Sequence, residues 1–126
     1  MVKRLKLIMF GAGLVGRRVL PGYVEKFDVI AIADNDTNKH GKDLLGVQIV
    51  HPSAIIHEEF DYIVITSTSI SQIYDQLVAL GVNPGRIKET AELKGLRFPW
   101  DAIIFLSFLI TLILTSIAVF AIYIIS

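Results

Sequence analysis

The N-terminal part of the chain is punctuated by short apolar runs, each closed by a glycine, a proline or a polar cluster. Residues 5–10 form a run that stops at Gly11, the pattern of a strand buried on both faces. In residues 14–23, Leu14, Val15, Val19 and Leu20 fall at helical spacing, and Pro21 is expected to end or bend that helix unless the helix restarts after it. Residues 27–33 read F-D-V-I-A-I-A, a second buried strand, and run into the turn-forming cluster Asp34-Asn35-Asp36-Thr37-Asn38. Residues 41–46 read as loop and 47–50 as a short third strand, stopped by His51-Pro52. Residues 52–58 have room for one or two helical turns. Residues 62–66 (Y-I-V-I-T) make a fourth strand, after which Ser67, Thr68, Ser69 and Ser71 form a run of hydroxyls. Ile73, Leu77, Val78 and Leu80 then recur at helical spacing, with Gly81 placed as the cap. Asn83-Pro84-Gly85 is a turn and residues 86–88 a fifth, edge strand. Strands alternating with helices, each strand continuously apolar, predict an α/β domain with a parallel sheet of about five strands covered on both faces.

The pattern changes abruptly further on. Between residues 103 and 125 there is no charged side chain, and only Ser107, Thr111, Thr115 and Ser116 interrupt the apolar run. At about 1.5 Å rise per residue this segment is long enough for a hydrocarbon core of about 30 Å. A domain of this size could not enclose a helix that is apolar all round. The expected organisation is a domain over residues 1–92, a linker over 93–100 and a single transmembrane helix over 101–126. Arg86, Lys88, Lys94 and Arg97 precede the span and only Ser126 follows it, which predicts a cytoplasmic N-terminal domain. Trp100 and Tyr123 stand where interfacial aromatic belts form. The chain is thus expected to be single-pass and tail-anchored, meeting the bilayer through residues 103–125. Ser107, Thr111 and Thr115 recur every four residues, which fits either pairing with a second copy or another membrane helix, or bonding of each hydroxyl back to its own helix.

Composition follows from this division. The chain of 126 residues is 53% hydrophobic and 19% charged, against about 25% charged in an ordinary soluble domain. Its mean hydropathy is +0.60. The excess sits in the C-terminal segment, and the remainder is enough for one core, not two. Twelve basic and twelve acidic side chains cancel, and there is no long basic run, so a nucleic-acid role is disfavoured. The absence of cysteine excludes a disulfide scaffold. Lys3, Arg4 and Lys6 precede an apolar stretch too short for a secretory signal.

Gly11-Ala12-Gly13-Leu14-Val15-Gly16 is a G-x-G-x-x-G sequence lying directly between the first strand and the first helix. Gly11 allows the tight turn, Gly13 lets a pyrophosphate approach the backbone, and Gly16 lets the helix pack close to the strand. The helix N-terminus then offers unpaired N–H groups to the phosphates. Asp34 ends the second strand, eighteen positions beyond Gly16, where an acid can accept from ribose hydroxyls and would repel a 2′-phosphate. NAD is therefore the expected ligand over NADP in a Rossmann-like cleft. Asn35, beside Asp34, and Thr66 and Ser67, at the carboxyl end of the fourth strand, complete the candidate site with Gly11, Gly13, Leu14, Val15 and Gly16. Ser67, Thr68, Ser69 and Ser71 can also serve as helix caps. Asn35 and Asp36 can equally be turn formers, and Arg17 or Arg18 can either approach a phosphate or lie on a solvated helix face.

Chemical side chains are less evident. No Tyr-x-x-x-Lys pair is present: Tyr23 and Lys26 are three apart, and neither Tyr62 nor Tyr74 has a lysine four residues on. His40, His51 and His57 lack metal-ligand spacing with acidic partners and read as loop residues. There is no cysteine nucleophile and no Gly-x-Ser-x-Gly elbow. The residues describe a binding half with no catalytic residue assigned.

Phe10-Gly11-Ala12-Gly13 through Gly16, Ile32-Ala33-Asp34-Asn35-Asp36 and Gly46-Val47-Gln48-Ile49-Val50-His51-Pro52 together resemble the nucleotide-binding domain of bacterial nucleoside-diphosphate-sugar epimerases and dehydratases. The same residues are similar to the N-terminal domain of sugar acetyltransferases that bind a UDP-sugar. Asp61-Tyr62-Ile63-Val64-Ile65 and the stretch from Leu80 to Ile87 fit the same pattern, so the resemblance covers about residues 5–90. It implies that Gly11, Gly13, Gly16 and Asp34 hold a dinucleotide or the nucleotide of a sugar donor, in cell-surface polysaccharide or glycoconjugate synthesis. In the large membrane dehydratases the membrane helices precede the nucleotide domain, whereas here the apolar helix follows it. The expected function is binding of NAD or a nucleotide sugar. Two other readings stay open: a nucleotide-sensing module that signals to a membrane partner, and an NAD-dependent oxidoreductase completed by a partner chain.

Overall fold

The structure is a computed structural model that describes residues 3–95 and 100–126. The chain divides into two compact units, Met1–Lys94 and Gly95–Ser126. Arg97 and Pro99, and the side chain of Trp100, lie outside the described residues.

In the N-terminal unit the apolar runs become strands β1 (Lys6–Phe10), β2 (Asp28–Ala33), β3 (Asp43–Leu44), β4 (Val47–Val50), β5 (Tyr62–Ile65) and β6 (Ile87–Glu89). They form one mixed sheet in the order β3-β4-β2-β1-β5-β6. All neighbouring strands are parallel except the β3–β4 pair. Helices α1 (Leu14–Lys26), α2 (Ile70–Ala79) and α3 (Thr90–Gly95) connect or follow the strands, with a 3-10 turn at Pro52–His57 before β5.

The strands are apolar at successive positions because both faces are covered. Ile8, Phe10, Ile63 and Ile65 pack with Ile73 and Leu77 of α2 and with Ile55 on one face. Leu7, Met9, Ile32, Ile49 and Val64 pack with Leu20 of α1 and Leu93 of α3 on the other. Alternate residues of β1 thus serve opposite cores, and each buried side chain of this size contributes about 1.5–3 kcal/mol. Gly81 ends α2 at φ +93°, with its N–H on the Val78 carbonyl and the Val82 N–H on the Leu77 carbonyl, both at 3.0 Å. This pair of bonds satisfies carbonyls that the helix end would leave free, and turns the chain toward β6.

Three expectations are corrected. Residues 41–46 are not simply loop, because Asp43–Leu44 pairs antiparallel with β4 through a two-residue turn. Leu45 (φ +48°) and Gly46 (φ +82°) are both left-handed, as such tight hairpins require. Helix α1 does not stop at Pro21 but runs on to Lys26. Pro21 is exposed, so the carbonyl its missing N–H leaves unpaired lies on the water side. Leu93, read as linker, belongs to α3 and is buried in the core.

The C-terminal unit holds one long helix, α4 (Trp100–Ile125). Its segment Ile103–Ile125 is long and apolar enough to cross a membrane, and none of it is buried within the protein. The Thr111 hydroxyl donates to the Ser107 carbonyl at 3.0 Å, Thr115 to the Thr111 carbonyl at 2.6 Å, and Ser116 to the Leu112 carbonyl at 3.0 Å.

Candidate functional site

The glycine loop is built from two close approaches and one opening. Gly11 follows β1 at φ +127°, and its N–H donates to the Ala33 carbonyl at 2.8 Å. A Cβ on Gly11 would collide with the Thr66 carbonyl, and one on Gly16 with the Gly11 carbonyl. Those two glycines therefore let β5 and α1 close on the turn. Gly13 differs, because nothing lies within 4 Å of where its Cβ would be. It is the N-cap of α1 and supplies no side-chain cap, so among the described residues no cap hydrogen bond covers the first N–H groups of that helix. Leu14 is exposed beside it and Val15 half-buried.

Asp34 braces this loop. Its Oδ2 accepts the Ala12 N–H at 2.8 Å and its Oδ1 the Asp36 N–H at 2.8 Å. The Lys39 ammonium stands 3.8 Å from Oδ2. His40, a loop residue as expected, donates from Nε2 to the Asp34 carbonyl at 2.6 Å and stacks edge-on against His51. A carboxylate offers about four lone-pair sites, so capacity remains for a ligand hydroxyl.

Two of the hydroxyls after β5, those of Thr66 and Ser67, are hydrogen-bonded to the main chain. Thr66 is buried; its hydroxyl donates to the Gly11 carbonyl at 2.7 Å and its N–H to the Phe10 carbonyl at 2.9 Å. Ser67 Oγ accepts the Ser69 N–H at 3.1 Å. Ser69 is the N-cap residue of α2 yet makes no side-chain cap bond. Asn35 is paired across the crevice with Gln76 of α2: each side-chain amide donates to the other's oxygen, at 2.9 and 2.8 Å.

These residues line two adjoining clefts at the carboxyl edge of the sheet, which share Gly11, Asp34 and Ser67. One, of about 340 Å³, is completed by Gly13, Leu14, Val15, Lys39, Thr66 and Thr68. The other, of about 290 Å³, is completed by Phe10, Asn35, Ser69, Gln72, Ile73 and Gln76. They share Gly11, which follows β1, where the strand order reverses: β2 to β4 lie on one side of β1, and the chain then crosses back to β5 on the other. That reversal is where ligands bind in open parallel sheets. Gly11, Gly13, Leu14, Val15, Asp34, Asn35, Thr66 and Ser67 are thus brought together, with Gly16 behind the loop. Arg17 and Arg18 are exposed and line neither cleft. Lys39 and Gln76 were not foreseen. Lys39 stood in a turn among other polar residues, and Gln76 lies forty-one positions from Asn35, beyond any local pattern. A hollow of about 370 Å³ lined by Lys3, Arg4, Lys6 and Phe27 lies at the opposite end of the strands.

Comparison with solved structures shows the same Rossmann-like fold elsewhere. Vibrio fischeri UDP-D-quinovosamine 4-dehydrogenase is similar over 75% of this chain and 85% of its own, at 23% identity and a TM-score of 0.55. RSP, a Rex-family repressor, is similar over 86% of this chain and 59% of its own, at 15% identity and a TM-score of 0.54. RSP solved with β-NAD+ and operator DNA aligns at 14% identity with a TM-score of 0.53, over 85% of this chain and 61% of its own. This chain therefore spans about three fifths of RSP. No curated protein matches it. The family is shown by sequence instead: residues 3–88 match the family described as C2185-like, N-terminal, and the chain belongs to that family.

Proposed function

We propose that this chain is a membrane-anchored nucleotide-binding protein whose glycine-loop cleft takes NAD or a nucleotide sugar. The observation that carries the reading is the open space at Gly13, at the uncapped N-terminus of α1, with Asp34 alongside. A pyrophosphate at Gly13 would meet backbone N–H groups and the positive end of the helix dipole. A ribose would lie against Asp34, and a base would lie in the adjoining cleft lined by Gln72 and the Asn35–Gln76 pair. The structures of RSP with β-NADH and β-NAD+ and of a UDP-sugar dehydrogenase support a ligand of this class. A role in cell-surface polysaccharide or glycoconjugate synthesis rests on the resemblance of residues 5–90 to nucleotide-sugar epimerases and dehydratases. In this reading residues 103–125 cross the bilayer, and Arg86, Lys88 and Lys94 keep the nucleotide domain in the cytoplasm.

A nucleotide-sensing module acting on a membrane partner is the second reading. It is favoured by the cleft hydroxyls of Thr66 and Ser67, which are bound to main chain rather than poised as reacting groups. The similarity to a Rex-family repressor solved with β-NADH points the same way. An oxidoreductase completed by a partner chain would instead turn over substrate once that partner is added.

The test is calorimetry of the purified full chain with NADH and with a UDP-sugar, together with mass spectrometry of any co-purifying nucleotide. Asp34→Ala should weaken binding by about 1–3 kcal/mol, the cost of an unsatisfied hydrogen-bonding group. Absence of binding to every nucleotide tried would remove the reading.

A further inference from the structure

The ribose end of the cleft carries a charge pattern that the glycine loop and its acid do not account for. An acid at the end of the second strand normally rejects a 2′-phosphate because its charge faces the ribose. Here the Asp34 side chain is 13% exposed, and each of its oxygens accepts a main-chain N–H. Its charge is turned toward the Ala12 and Asp36 backbone. The Lys39 side chain is 30% exposed and lines the same cleft as Gly13, Ser67 and Thr68. Its Nζ lies 3.8 Å from Asp34 Oδ2, longer than the roughly 2.7–2.9 Å of a charge-assisted hydrogen bond. The three ammonium donors are therefore not used up by the pair. Among the described residues lining the two clefts, Lys39 is the one cation.

We propose that Lys39 is a specificity residue that binds the phosphate monoester of a 2′-phosphorylated ribose, so that the cleft takes NADP(H) as well as NAD(H). This rests on the nucleotide reading of the same cleft. A phosphate monoester carries about −1.5 to −2 charge at pH 7 and three strong acceptor oxygens. Asp34 alone would repel it; the Lys39–Asp34 pair presents a nearly neutral wall with ammonium donors available at its surface. An unphosphorylated ribose needs only the remaining acceptor capacity of Asp34, so its binding does not call on Lys39. The negative charge expected from sequence at this position is offset by a side chain five residues further on.

The experiment is calorimetry of the full chain in detergent micelles with NAD+ and NADP+, for the parent protein, Lys39→Met and Lys39→Arg, with melting temperatures as the folding control. The parent should bind NADP+ within about tenfold of NAD+. Lys39→Met should lose at least about tenfold in NADP+ affinity while NAD+ affinity moves by less than about threefold, and Lys39→Arg should keep NADP+ binding. Equal losses for both ligands in Lys39→Met, or a parent that binds NAD+ but holds NADP+ more than about tenfold weaker, would overturn the assignment while leaving the nucleotide cleft intact. A folded parent that binds a UDP-sugar but neither NAD+ nor NADP+ would overturn the role of Lys39 alone, and one that binds none of the three would overturn the nucleotide reading as well.

Discussion

The Thr66 hydroxyl donates to the Gly11 carbonyl at 2.7 Å, tying the residue that follows β5 to the glycine turn that follows β1. Both groups are buried, and the bond joins the ends of two paired strands whose following loops line the clefts. Thr66→Val keeps the shape and removes the donor, leaving the carbonyl without this partner at a cost of about 1–3 kcal/mol. Thr66→Ser should recover most of that loss. Denaturant melts of the full chain measure both, and a valine variant as stable as the parent would show that the bond contributes nothing.

The glycines should separate into two kinds. Gly11→Ala puts a Cβ onto the Thr66 carbonyl in a backbone at φ +127°, so the domain should be destabilised by several kcal/mol or fail to fold. Gly13→Val meets open space, so the fold should survive while nucleotide binding falls by at least about tenfold, or 1.4 kcal/mol. Circular dichroism together with calorimetry distinguishes the two. A folded Gly13→Val protein with undiminished binding would take the loop out of the site.

The amide pair of Asn35 and Gln76 holds the segment after β2 against α2. Both side chains reach solvent, so each hydrogen bond should be worth about 0.5–1.5 kcal/mol net. Asn35→Ala, Gln76→Ala and the double variant form a cycle whose coupling energy should fall near that range. Strict additivity would mean that the pair is not made in solution.

How much of this was legible depended on how local each signal was. Residues 5–10, 27–33 and 62–66 announced parallel strands because a sheet covered on both faces needs apolar side chains at successive positions, and Leu7 and Ile8 do serve opposite cores. Gly11 to Gly16 could be read because a turn between strand and helix constrains its own residue types. The β3 strand was not legible, since two residues carry no period and Leu45-Gly46 lacks the Asn-Gly or Asp-Gly signature of a tight hairpin. Asp34 was found, yet its bonds to Ala12 and Asp36 were not, because main-chain donors leave no mark in sequence. Gln76 was invisible for a further reason: its partner is fixed by how α2 packs on the sheet, and no spacing encodes that.

Burial raises the Tyr23 phenol above its ordinary value of 10.0, through desolvation beside the Phe27 ring, whose centroid lies 5.9 Å away edge-on. An acid with a raised folded value keeps its proton where the unfolded chain has released it. Its contribution to stability is complete below pH about 10 and is lost as pH rises through the folded value. Melts between pH about 9 and 11 should therefore fall less steeply for Tyr23→Phe than for the parent. Parallel curves would show that Tyr23 does not titrate with unfolding.

The last prediction concerns the hydroxyl stripe of α4. Ser107, Thr111 and Thr115 lie along one face, an arrangement that would suit a helix–helix interface held by hydrogen bonds. The hydroxyls of Thr111 and Thr115 are already satisfied within the helix, on the carbonyls of Ser107 and Thr111. To bond across an interface each would give up its own carbonyl, and such cross-helix bonds average only about 0.6 kcal/mol even where they form. The exchange offers little net gain, so the stripe should not drive association. Replacing Thr111 and Thr115 together by leucine keeps the helix apolar and removes both hydroxyls. Energy transfer between labelled full chains in bilayers should then report the same monomer–dimer balance as the parent. A clear drop in association would mean that these hydroxyls turn outward to a partner helix when one is present, and α4 would be an interface as well as an anchor.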